Sequence, residues 1–202
     1  SYYQQLLLFR NKANIATQFR LFQPLWVFVG SSVNAVRKEE GKETSDVLDI
    51  VHFLSGFLKN KTEYTEYIRL ILSNKAGLLD AKGYSIFEGS FAYLEELEWG
   101  AEAIFDGINK DVFHNQTPGA NLYLDNLKGA PGELGLRVGD TDRYFGVINV
   151  GDEKKLHDLA MSNGILGKDQ DFSESLFGQI NLAQPKYEIN LLIGSKKFSE
   201  GW

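Results

Sequence analysis

An α/β domain built on a mainly parallel sheet is the fold class that this sequence predicts, on three observations. The runs Leu25–Val29, Tyr144–Val150 and Ile189–Ile193 are nearly continuous in apolar, β-branched and aromatic residues, as strands buried on both faces are. Helical periodicity fills the stretches between them. Each run closes on a small-residue turn, Gly30-Ser31-Ser32, Gly151-Asp152 and Gly194-Ser195. Strands alternating with helices in this order build a parallel sheet.

Taken along the chain, Tyr2 to Phe22 mixes apolar residues with amides and reads as a strand and a short helix. Leu25–Val29 reads as a central strand. Val33 to Lys42 reads as a charged linker. Thr44-Ser45-Asp46 offers a hydroxyl cap and an acidic first turn to a helix whose apolar stripe runs Val47, Ile50, Val51, Leu54, Phe57 and Leu58. A second helix is expected over 62–72. Ser85-Ile86-Phe87-Glu88 has capping-box form, with a stripe continuing through Phe91, Leu94, Leu97 and Ile104 to Asn109. Leu122, Leu124 and Leu127 face Leu134, Leu136 and Val138 across Lys128-Gly129-Ala130-Pro131-Gly132, a β-hairpin signature. A helix capped by Gly151-Asp152 should end at Asn163-Gly164, and a short one is expected around Glu174 to Gln179.

The chain has 202 residues, 43% hydrophobic and 24% charged, enough for one substantial core but not comfortably for two. The net charge of −6 argues against a free-standing nucleic-acid binder, which is usually basic. There is no cysteine, in keeping with a reducing compartment, and no apolar run long enough for a membrane span. A cytoplasmic location is therefore expected, with no membrane partner.

Chemistry is expected at the strand ends, because ligands of open α/β sheets sit outside the carboxyl ends of the strands. The candidates are Gly30, Ser31, Ser32 and Asn34 after the first strand, and Gly194, Ser195, Lys196, Lys197, Glu200 and Gly201 after the last. Hydroxyls, backbone amides and lysines in such loops contact phosphates. The plain alternative is two solvated turns. His52, His114 and His157 share no metal-ligand spacing with one another, so no metal site is expected. Asp140, Asp142 and Lys154 have no spacing that supports a nuclease centre. There is no G-x-x-x-x-G-K-[ST] phosphate loop and no Asp-Glu pair closing an apolar strand. Phosphoryl transfer needs the phosphate cradle and metal together, so no catalytic residue is assigned and the chain alone should not hydrolyse ATP.

Two segments carry a resemblance. Gly194-Ser195-Lys196-Lys197-Phe198-Ser199-Glu200-Gly201-Trp202 after an apolar strand resembles motif V of superfamily 2 helicases. Trp26-Val27-Phe28-Val29-Gly30-Ser31-Ser32-Val33 followed by Asp46-Val47-Leu48 resembles motif IV. Both are similar to the restriction (helicase) subunit of type III restriction enzymes, with the segment before the last strand, from Tyr144, also in keeping. The resemblance implies the second RecA-like, three-layer domain of a DNA translocase. The 202 residues would then be a single excised domain with an insertion over about 61–140, helical over 61–118 and ending in the β-hairpin. It further implies ATP and Mg²⁺ in the parent protein. The implied partners are double-stranded DNA, the first RecA-like domain of the same chain and a methyltransferase (modification) subunit. The alternatives are a nucleotide- or sugar-binding α/β module of a transferase, or a non-catalytic scaffold.

Overall fold

A computed structural model describes residues 1–21, 23–30, 36–39, 42–180, 182 and 185–194, with the backbone alone over 37–39 and 42–44. The helices are α1 (Tyr2–Asn11), α2 (Ala13–Gln18), α3 (Asp46–Lys59), α4 (Lys61–Leu72), α5 (Ala92–Glu96), α6 (Ala101–Asp111) and α7 (Glu153–Ser162). The strands are β1 (Trp26–Val29), β2 (Arg37–Glu39), β3 (Lys42–Thr44), β4 (Leu122–Leu127), β5 (Glu133–Val138), β6 (Tyr144–Asn149), β7 (Asp169–Gln170) and β8 (Leu191–Gly194). Six of them form one sheet in the order β1-β8-β6-β5-β4-β7. β1, β8 and β6 are parallel neighbours, and β5 alone runs against the rest. The class is α/β, with a mostly parallel sheet flanked by helices.

The three apolar runs are thus the three adjacent parallel strands, but their ranks differ from expectation. The first run is not central: β1 is the sheet edge among the described residues, with Val27 and Val29 42% and 48% exposed. Trp26 and Phe28 pack inward on the alternate side, so an edge strand with one apolar side left open reads from sequence like a buried one. The last run, β8, lies one place in from that edge, paired on both sides by β1 and β6, and its four residues are all buried. The hairpin of β4 and β5 forms as expected, as part of the main sheet between β6 and β7.

The two faces are covered differently. Buried residues of α1, α3, α5, α6 and α7 form one cluster with Leu122, Leu124, Leu134, Leu136, Phe145, Ile148, Leu191 and Ile193, and α4 packs on its outside. On the second face Leu127, Tyr144, Val147 and Leu192 pack against Leu176, Phe177, Ile180 and Tyr187 of the segment returning from β7 to β8. The three-layer arrangement that the resemblance implies has helices on both faces of the sheet. Among the described residues the second face carries only a 3-10 turn, Phe177–Gln179. The reason is local: the Glu133 carboxylate accepts from Ser175 Oγ (2.6 Å), Leu176 N (2.8 Å) and Phe177 N (3.1 Å), pinning the return segment before a full helix develops.

Other expectations need correction. Residues 2–18 form two helices, with no strand, because Tyr3, Leu6 and Leu7 fall on one face at helical spacing and reach the core. Gly107 on α6 leaves room for the Tyr3 ring, which a side chain there would displace. The linker 33–42 contributes to an antiparallel pair, β2 with β3. The Ser85 capping box does not form. Ser85 Oγ accepts from Phe87 N instead, inside a turn in which Asp80 Oδ1 accepts from Lys82 N and Tyr84 N. The stripe to Asn109 is broken into α5 and α6, since Glu98 is left-handed (φ 52°) and Gly100 is extended. Asp152 occupies the N-cap of α7 without a side-chain cap bond.

The expected start of α3 is met. Ser45 Oγ accepts from Leu48 N at 3.2 Å, inside the protein. Ser45→Ala should therefore lower stability by about 1 kcal/mol, read as a shift of the denaturation midpoint at unchanged slope. No shift at all would mean that the helix start is held elsewhere.

Candidate functional site

The carboxyl ends of β1, β8 and β6 lie side by side. Val29 is in register with Gly194, and Gly194 with Asn149. Beyond the last pair, Gly30 N donates to Gly194 O at 2.8 Å. The two glycines that open the candidate loops are therefore bonded neighbours, although 164 positions separate them in sequence (194 − 30). The other candidates, Ser31, Ser32, Asn34, Ser195, Lys196, Lys197, Glu200 and Gly201, lie outside the described residues. What the structure brings together is the pair of strand ends from which both loops leave.

The third strand end adds chemistry of its own. β6 passes through Val150 and Gly151 directly into α7, so the amino end of α7 points to this edge. Asp152 and Glu153 stand at that end, where carboxylates are stabilised by the helix dipole and oppose a bound anion. Lys154 and Lys155 follow and are exposed. A phosphate seated on the α7 amino end would meet these carboxylates first.

One buried polar cluster escaped the sequence reading. Asp125 on β4 is fully buried and Arg137 on β5 nearly so. Arg137 Nε donates to Asp125 Oδ2 at 2.6 Å and Nη2 to Oδ1 at 3.3 Å. The Tyr144 hydroxyl (3.0 Å), Lys168 N (3.1 Å) and Gln170 Nε2 (3.4 Å) donate to the same carboxylate. Arg137 Nη1 donates to Gly139 O at 2.6 Å, and the guanidinium lies 4.2 Å from the centre of the Tyr123 ring. Burial first, then the Asp125 charge, push the Tyr144 phenol far above its ordinary range, so it stays a donor. Every strong group in the cluster has its partner, which makes it a clamp between hairpin, β6 and β7. The available signal was an Asp and an Arg inside the strands of a hairpin whose other residues are mostly apolar.

A cleft of 430 Å³ opens on the second face between Tyr144, Phe172 and Tyr187, with a rim of carboxylates. Asp169 and Asp171 are paired with Lys128 (3.0 and 3.2 Å), and Glu174 lies 3.9 Å from Lys186. Of the histidines, His114 Nε2 lies 2.8 Å from Glu188 O, and His157 is buried with Nε2 unpartnered. Among the described residues no group of three or more His, Cys, Asp or Glu is placed to hold a metal ion. No described helix is long and apolar enough to cross a membrane.

No protein-family model, curated protein or solved structure matches this chain.

Proposed function

We propose that this chain is the second RecA-like motor domain of an ATP-dependent DNA helicase or translocase, similar to the restriction subunit of type III restriction enzymes. The observation that carries the reading is the Gly30–Gly194 contact. The motif IV-like and motif V-like segments are distant in sequence, yet they leave the sheet from adjacent parallel strands at its carboxyl edge. A translocase needs this adjacency, because both loops must face one nucleic-acid track and one interdomain cleft. ATP and Mg²⁺ act in the parent protein, in a cleft shared with the first RecA-like domain. Double-stranded DNA is the track, a methyltransferase subunit is the partner, and the location is cytoplasmic. The acidic start of α7 weighs against the rival reading of a nucleotide-binding module, since Asp152 and Glu153 repel phosphate there.

The test is duplex DNA affinity measured against salt concentration for the parent protein and for its Ser195→Ala/Lys196→Ala variant, with thermal melts alongside. The loss of one phosphate contact should weaken binding and flatten the salt dependence by about one charge. Stability should change by less than ~1 kcal/mol, as for ordinary surface substitutions. Identical salt slopes, or no DNA binding at any salt, would overturn the reading.

A further inference from the structure

The strand-end contact depends on registry, and registry is set at the opposite end of the same strands. Asn190 immediately precedes β8 and is completely buried. Its Oδ1 accepts from Gln23 Nε2 at 2.8 Å and lies 3.0 Å from the Tyr2 hydroxyl, which also reaches Pro24 O at 3.0 Å. Its Nδ2 donates to Asp111 O at 3.1 Å and Val112 O at 2.9 Å, at the end of α6. Its backbone N donates to Phe145 O at 2.8 Å, and its backbone O accepts from Trp26 N at 2.9 Å. An asparagine side chain has two donors and two acceptor sites; both donors and one acceptor site are engaged here, and the single Tyr2 proton is shared between the other acceptor site and Pro24 O.

We infer that Asn190 is the positioning residue of the strand-end site. Its side chain holds the start of β8 against the entry to β1 and the end of α6, so that Gly194 meets Gly30 at the carboxyl ends of the two strands. A leucine or valine at this place would keep the backbone bonds to Phe145 and Trp26 but lose the side-chain ties to Tyr2, Gln23 and the end of α6. An asparagine whose every polar atom reaches a different segment makes one longitudinal position better than any slipped one. Slippage matters most at this pair, because β1 is an edge strand held on one side only among the described residues. Asn190 stands roughly 13 Å of extended chain from Gly194, so it acts on the site through the strand and not by touching it.

The experiment is amide hydrogen exchange by NMR on the intact chain. Two variants are used: Asn190→Ala, and Tyr2→Phe/Gln23→Ala, which removes only the ties on the β1 side. The Gly30 amide should lose at least tenfold in protection in both. Leu134 and Leu136 amides, in the hairpin, should change less than twofold. Unchanged Gly30 protection, or an equal loss at Gly30, Leu134 and Leu136 in the milder double variant, would overturn the inference. If Asn190→Ala does not fold, the double variant decides alone. The consequence for DNA rests on the proposed function, and its failure is separable: a selective loss at Gly30 with unaltered DNA affinity would leave the lock standing and overturn the DNA reading of this edge.

Discussion

Asp125→Ala should cost about 3–5 kcal/mol of folding stability, because it strands the Arg137 guanidinium inside the protein without its counter-charge. The loss goes beyond the ion pair. The Tyr144 hydroxyl and the Lys168 amide also donate to this carboxylate and would be left without an acceptor. The sign of the double replacement separates the two contributions. Asp125→Leu/Arg137→Met removes both charges at once, and apolar pairs of similar volume often replace buried ion pairs at little cost. That variant should therefore lose less than Asp125→Ala, retaining only the roughly 1–3 kcal/mol for the remaining unpaired groups. Urea denaturation of the chain and the two variants gives the answer. A loss below ~1 kcal/mol in Asp125→Ala would show that the clamp does not hold the hairpin to β6 and β7.

This cluster also marks where sequence reading stops. Periodicity finds residues that face a core, so α3, α4 and the hairpin of β4 and β5 are legible to within a residue or two. It does not say which strand is the edge. Trp26-Val27-Phe28-Val29 and Leu191-Leu192-Ile193 are equally apolar, yet one lies at the margin and the other between two partner strands. Strand order is set by long-range pairing, which local composition does not encode. Nor does local pattern reveal Asp125, whose role depends on a guanidinium across the hairpin and a phenol on β6. The helix expected through 97–100 failed for a simpler reason, since Glu98 takes a left-handed conformation that an apolar stripe does not report. At the candidate site, the small-residue turns were visible from sequence, and the contact between Gly30 and Gly194 was not. Two apolar runs ending in glycine say nothing about adjacency until the sheet order is known.

The helical face should be the more sensitive of the two to a single truncation, and Phe145→Ala tests this. Phe145 is fully buried at the start of β6 and meets Phe113 edge-on, with ring centres 5.0 Å apart and planes at 87°. Phe113 in turn lies 5.6 Å from Phe57 on α3, and Phe57 stacks on Phe105 of α6 at 4.8 Å. One continuous row of rings thus ties the sheet to α3 and α6 above it. Edge-to-face and offset contacts of this kind add to the burial of each ring. Truncation of Phe145 removes the row's anchor on the sheet and leaves a cavity that the strand backbone cannot collapse to fill. The expected cost is about 3–5 kcal/mol. On the second face Leu192→Ala opens onto the return segment of 3-10 turn and loop, which can settle toward the gap, and its cost should lie near the lower end of the roughly 2–5 kcal/mol range for such changes. Denaturation midpoints at unchanged slope measure both. A smaller loss for Phe145→Ala than for Leu192→Ala would mean that the loop-covered face, and not the helical layer, holds the central strands in place.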